Sequence, residues 1–166
     1  MNKLRYSLSL LAVLILQTAV VSNWTFSGIA PALHLVFLVA ISFLYGPLWG
    51  GYTGLALGLL EDMMFSGVLG IRALLFFVGA TAVGKALYHN EHNLATGTLA
   101  TALFSFFVLA GQWGILFLLR KPLPYLYLIG KPVLFYALFN AALFIPVMLL
   151  MRRLMKPESI RFFGRI

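Results

Sequence analysis

Residues 6–60 read YSLSLLAVLILQTAVVSNWTFSGIAPALHLVFLVAISFLYGPLWGGYTGLALGLL, 55 consecutive positions without Asp, Glu, Lys or Arg. As helix at about 1.5 Å per residue this stretch measures roughly 80 Å, enough for two or three crossings of a bilayer. The rest of the chain agrees. Of 166 residues, 62% are hydrophobic and 10% charged, with a mean hydropathy of +0.99. A soluble domain carries about 25% charged residues, so too few charges are available here to clothe a water-facing surface. The composition defines an all-α integral membrane protein with little mass outside the bilayer.

Without cysteine, disulfides, thiolate metal sites and thiol nucleophiles are excluded. The formal net charge of +8 lies largely beside apolar segments, where it sets topology and meets anionic lipid rather than nucleic acid. Met1–Arg5 with the apolar run after it resembles a signal peptide. No small-x-small cleavage pattern precedes Asn23, so the first helix is read as retained.

Breaks at charges, Pro/Gly pairs and polar clusters divide the chain into six helices, over residues 4–21, 31–45, 48–64, 68–87, 94–119 and 131–154. They form one polytopic domain, residues 1–156, followed by a basic tail, residues 157–166. The second segment is short for a roughly 30 Å hydrocarbon core, so residues 31–64 either cross fully or form a re-entrant hairpin. Both choices leave the sidedness of the rest unchanged. With six spans and the N-terminus inside, Lys3, Arg5, Lys85, Arg152, Arg153, Lys156, Arg161 and Arg165 are cytoplasmic, and only Arg72, Arg120, Lys121 and Lys131 lie outside. The positive-inside rule therefore places both termini in the cytoplasm. The outer trio Arg120, Lys121 and Lys131 dissents, flanking the aromatic stretch PLPYLY at 122–127.

Four features are candidates for function. Gly46, Gly50, Gly54 and Gly58 recur every four residues, a bare helical stripe that lets another backbone approach closely. The turn at Gly46-Pro47 points to packing of the third helix on the second; a homodimer contact is the other use of such a stripe. Glu61 and Asp62 are two of only four acids, and an acid at a membrane boundary must be paired or solvated. Arg72 is placed to pair with Asp62 across the hairpin, Ser66 to cap the fourth helix, and Gly70 to permit the turn. A structural ion pair is favoured over ligand recognition, and adjacent carboxylates are poorly arranged for catalysis. Asn140, with Pro146 six residues on, is read as an interhelical hydrogen-bonding amide beside a kink, and Gln17 and Gln112 as similar contacts. His89 and His92 lack the spacing and further ligands of a metal site, and His34 is read as bonded to a neighbouring helix. No cofactor motif appears, and the chain is read as a non-enzyme.

The run GLLED at 58–62, continued by SGVLGIR at 66–72, resembles the MreD family of rod shape-determining proteins. Lys131-Pro132, Asn140, Pro146 and the segment LLMR ending at Arg152 fall in a similar order, and the likeness extends over nearly the whole chain. It implies a non-enzymatic subunit of the bacterial inner membrane. It further implies a place in the cell-elongation (Rod) complex and control of cell shape and peptidoglycan synthesis. The implied partners are the single-span protein MreC, the RodA glycosyltransferase, a class B penicillin-binding transpeptidase and MreB. The implied fold resembles the substrate-binding S component of energy-coupling-factor transporters. Such an S component is also the alternative function. Its usual A-x-x-x-A docking pair is missing around Ser7, Ser9 and Ala12, and the polar groups available for a vitamin are few. A small transporter or pore is a third reading, opposed by the lack of inverted repeats.

Overall fold

A computed structural model describes residues 3–20, 31–65, 68–88, 93–122 and 131–154. Six helices account for nearly all of them: α1 Lys3–Ile15, α2 Leu33–Tyr45, α3 Pro47–Phe65, α4 Ile71–Leu87, α5 Leu94–Leu118 and α6 Lys131–Leu154. A π-helical turn, Leu16–Val20, prolongs α1. No strand occurs among the described residues. With the π turn counted as part of the first, the segments expected from the sequence coincide with these helices to within three residues at every described end.

The bundle is organised around α2. Apart from His34 and Ser42 this helix is apolar, which suits burial rather than an interface with water. Leu35 to Phe43 are at most 1% exposed. At 13 residues, α2 is about 20 Å long, and α1, α3, α4, α5 and α6 all pack against it. Around it, Phe43 meets Phe144 of α6 edge to face (centroids 6.3 Å apart), and Phe76 of α4 meets Phe104 of α5 in the same manner (6.5 Å).

A helix that starts inside a protein must find acceptors for its first N–H groups. Ala32, the residue before α2, has no capping side chain of its own. Other helices serve instead. Asn140 Oδ1 of α6 accepts from the Ala32 N–H (2.8 Å), and Gln17 Oε1 from the Leu33 N–H (2.8 Å). Gln17 Nε2 donates to the Pro31 carbonyl (3.1 Å), and Asn140 Nδ2 to Ser105 Oγ of α5 (3.0 Å). Gln17 lies in the π turn, so the local widening of α1 coincides with its grip on α2. Asn140 is fully buried and joins three helices. At the other end of α1, the Tyr6 hydroxyl donates to Thr53 Oγ1 (2.5 Å), whose own hydrogen goes to the Trp49 carbonyl (2.6 Å). α6 continues through Pro146 to Leu154 as one element.

The glycine stripe does not mainly bind α2 to α3. A methyl on Gly54 would stand 2.6 Å from the Phe76 carbonyl oxygen, and one on Gly58 2.5 Å from Ala73 Cα, both on α4. Gly46, at φ 88°, faces the ring of Tyr88 just beyond α4, and only Gly50 meets α2, at Ser42. α4 offers its backbone to the stripe, near Phe76 and Ala73. At the far end of this pair a methyl on Gly84 would stand 2.6 Å from Pro47 Cα. α3 and α4 therefore run antiparallel in close contact along their length.

The outer surface is apolar. Leu48, Met63, Phe117 and Leu118 are each 69–80% exposed, with many further Leu, Phe and Met residues on α1, α3, α4, α5 and α6. In water such a surface would drive aggregation; in lipid it is the expected exterior. α5 and the segment Pro132–Leu154 are long and apolar enough to cross a membrane, while Tyr6–Ala19 and Leu33–Tyr45 are shorter apolar helices.

Candidate functional site: a buried charge cluster

At one end of the α3–α4 hairpin, four ionisable side chains converge. Glu61 and Asp62 are consecutive on α3, so their side chains leave the helix about 100° apart. That divergence sends them to different neighbours. Glu61 bridges two helices: Oε2 accepts from Arg72 Nη1 of α4 (3.2 Å), and Oε1 lies 3.1 Å from His34 Nδ1 of α2. The imidazole nitrogen is not aligned for a hydrogen bond to that oxygen, so this contact is a close electrostatic one. The His34 ring is stacked on Phe76, with centroids 5.3 Å apart and planes 26° from parallel.

Asp62 is fully buried and caps α4 from outside that helix. Its Oδ2 accepts from three backbone N–H groups, those of Gly70 (2.8 Å), Arg72 (3.0 Å) and Ala73 (3.3 Å). A carboxylate at a helix N-terminus satisfies otherwise unpaired donors and complements the helix dipole. To reach it the chain turns at Gly70, whose φ of 96° suits glycine. This turn explains why α4 begins at Ile71 and not at residue 68: Val68 and Leu69 belong to the approach. Asp62 Oδ1 is buried and makes no hydrogen bond.

The pairing expected from the sequence is thus exchanged between neighbours. Arg72 was expected on Asp62; its guanidinium lies on Glu61, and Asp62 takes its backbone N–H. Ser66, read as the cap of the fourth helix, lies outside the described residues, as do His89 and His92. Asn140 is about the middle of the bundle on the α6 side, tied to Ala32 and Ser105, and Pro146 lies on an exposed part of α6. His34 was read only as bonded to a neighbour, without an identified partner. The available signal was the shortage of acids: a lone imidazole in an apolar helix needs a polar counterpart, and few exist.

The cluster ties helices together: both Glu61 oxygens face cationic or polar partners on other helices, and one Asp62 oxygen carries three donors at the start of α4. Among the described residues no three His, Cys, Asp or Glu side chains are gathered as a metal would need.

Among the described residues, an all-helical bundle with an apolar exterior, a central helix enclosed by the others and a buried charge cluster fits a small helical membrane protein. The family model of the rod shape-determining protein MreD matches residues 3–154, and the chain belongs to that family. Its role is accordingly in rod shape determination, and the family is a structural one rather than a family of enzymes. No curated protein and no solved structure matches the chain.

Proposed function

We propose that this chain is a non-enzymatic subunit of the bacterial cell-elongation machinery. It sits in the inner membrane, binds an MreC-like single-span protein, and through it influences the RodA glycosyltransferase, the class B transpeptidase and MreB. The observation that carries this reading is the family match across residues 3–154, which takes in all six helices. Charge supports six crossings with both termini in the cytoplasm. Lys85 and the Arg152–Arg153 pair lie at the bundle end opposite the Asp62 turn. The C-terminal tail would rest on anionic lipid, at about 1 kcal/mol per basic residue near the surface. A six-helix arrangement resembling an S component would supply the partner-binding frame.

The chain, tagged and extracted from its own membranes in mild detergent, is expected to copurify with a protein carrying one N-terminal membrane helix and a large extracytoplasmic domain. Recovery of an ATPase pair instead, with loss of vitamin uptake on deletion, would replace the scaffold reading with the transporter one.

A further inference from the structure

The basic end of α5 is not used by the proposed function. α5 stops at Leu118, and Arg120 then adopts the left-handed conformation, φ 53°, the only non-glycine residue with positive φ among those described. Its N–H donates to the Phe117 carbonyl (3.1 Å), and that of Lys121 to Leu116 (3.0 Å). This is the helix-ending geometry that glycine supplies without strain. The arginine side chain contributes nothing to that turn. Arg120 and Lys121 are both exposed, and neither side chain has an ion-pair or hydrogen-bond partner among the described residues.

Among the described residues no carboxylate is available to pair with them. The side-chain acids of the chain are Glu61, Asp62, Glu91 and Glu158. Glu61 and Asp62 are buried and committed to His34, Arg72 and the start of α4. Within the described residues the Arg120–Lys121 pair is therefore open to an anion from outside the chain.

What surrounds the cations says where it comes from. Phe117 is 73% and Leu118 80% exposed at the same helix end, a face suited to acyl chains. We propose that Arg120 and Lys121 form a phosphate site at the membrane boundary that holds the headgroup of an anionic lipid. It lies at the Asp62-turn end, where Leu116 packs on Ile71 and Leu75, and so opposite the basic tail. On the orientation proposed above this is the outer leaflet.

Trp113, seven residues and about 10 Å before Arg120, reports on this site. In a Trp24→Phe/Trp49→Phe background the full chain is placed in phosphatidylcholine vesicles holding a minor fraction of phosphatidylglycerol, with one lipid or the other brominated to quench tryptophan. Phosphatidylglycerol should be preferred over phosphatidylcholine at Trp113 by about fivefold per cation engaged. Arg120→Gly/Lys121→Gln should bring the ratio to parity without lowering the melting temperature, because glycine relieves the backbone strain. Arg120→Lys/Lys121→Arg, and Arg161→Gln/Arg165→Gln in the tail, should leave it unchanged. Four results would each overturn the site: no preference in the parent chain, a preference that survives Arg120→Gly/Lys121→Gln, one abolished by the tail variant, or one displaced by inorganic phosphate in the buffer. Loss of an acidic partner protein with the lipid ratio intact would assign the two cations to that protein instead.

Discussion

A Glu61→Ala chain is expected to fold poorly and to accumulate far below the parent level in the membrane. The substitution removes the one carboxylate that faces both Arg72 and His34. It leaves a guanidinium of only 15% side-chain exposure without its anion. Breaking a buried pair in this way costs about 3–5 kcal/mol, because the remaining charge stays desolvated. Against a total stability of order 5–15 kcal/mol, that is a large share. Glu61→Gln keeps two polar atoms in the same place and should cost less, while Arg72→Ala, which strands the carboxylate, should resemble Glu61→Ala. Thermal unfolding in detergent and immunoblotting of membranes read both. Parent-like stability of Glu61→Ala would mean that the cluster does not hold the helices together.

A single methyl group provides the second large effect. Gly58→Ala places a Cβ 2.5 Å from Ala73 Cα and 2.6 Å from its nitrogen, and backbone atoms cannot turn aside as a side chain can. The α3–α4 contact must open beside the Asp62 cap, with an overpacking cost of about 1–3 kcal/mol. Gly114→Ala is the matched control. A methyl there meets nothing within 4 Å, and the gain in helix propensity, up to about 1 kcal/mol, should leave the chain as stable as before or more so. Melting temperatures of the two variants should therefore move apart. Equal behaviour would contradict the close approach of α3 and α4.

The six helices were legible because apolar runs and Pro/Gly breaks are local properties. The site was legible in part. Scarcity of charge singled out Glu61, Asp62 and Arg72, but the choice of partner depends on direction. Two adjacent residues on one helix differ by about 100°, and only the packing of α2 and α4 on different sides of α3 decides that Glu61 meets Arg72 while Asp62 takes the backbone. The glycine stripe was equally visible, yet a stripe has no label for its neighbour; Gly54 and Gly58 meet the backbone of α4, and only Gly50 meets α2. The clamp of Gln17 and Asn140 on the start of α2 spans up to 108 residues of sequence, a distance that no local pattern records. The short second segment is now also intelligible. α2 has no apolar exterior of its own to match to lipid, since the other helices enclose it.

The central proposal, that this member of the MreD family acts in rod shape determination by holding a membrane assembly, is tested most directly by depletion. Cell width and peptidoglycan incorporation along the side wall are measured together as the protein is lost from its own rod-shaped cell. The account predicts that cells widen and round, that side-wall incorporation becomes disordered, and that re-expression of the parent chain restores both. Cells that remain rods of normal width after complete loss of the protein would contradict it.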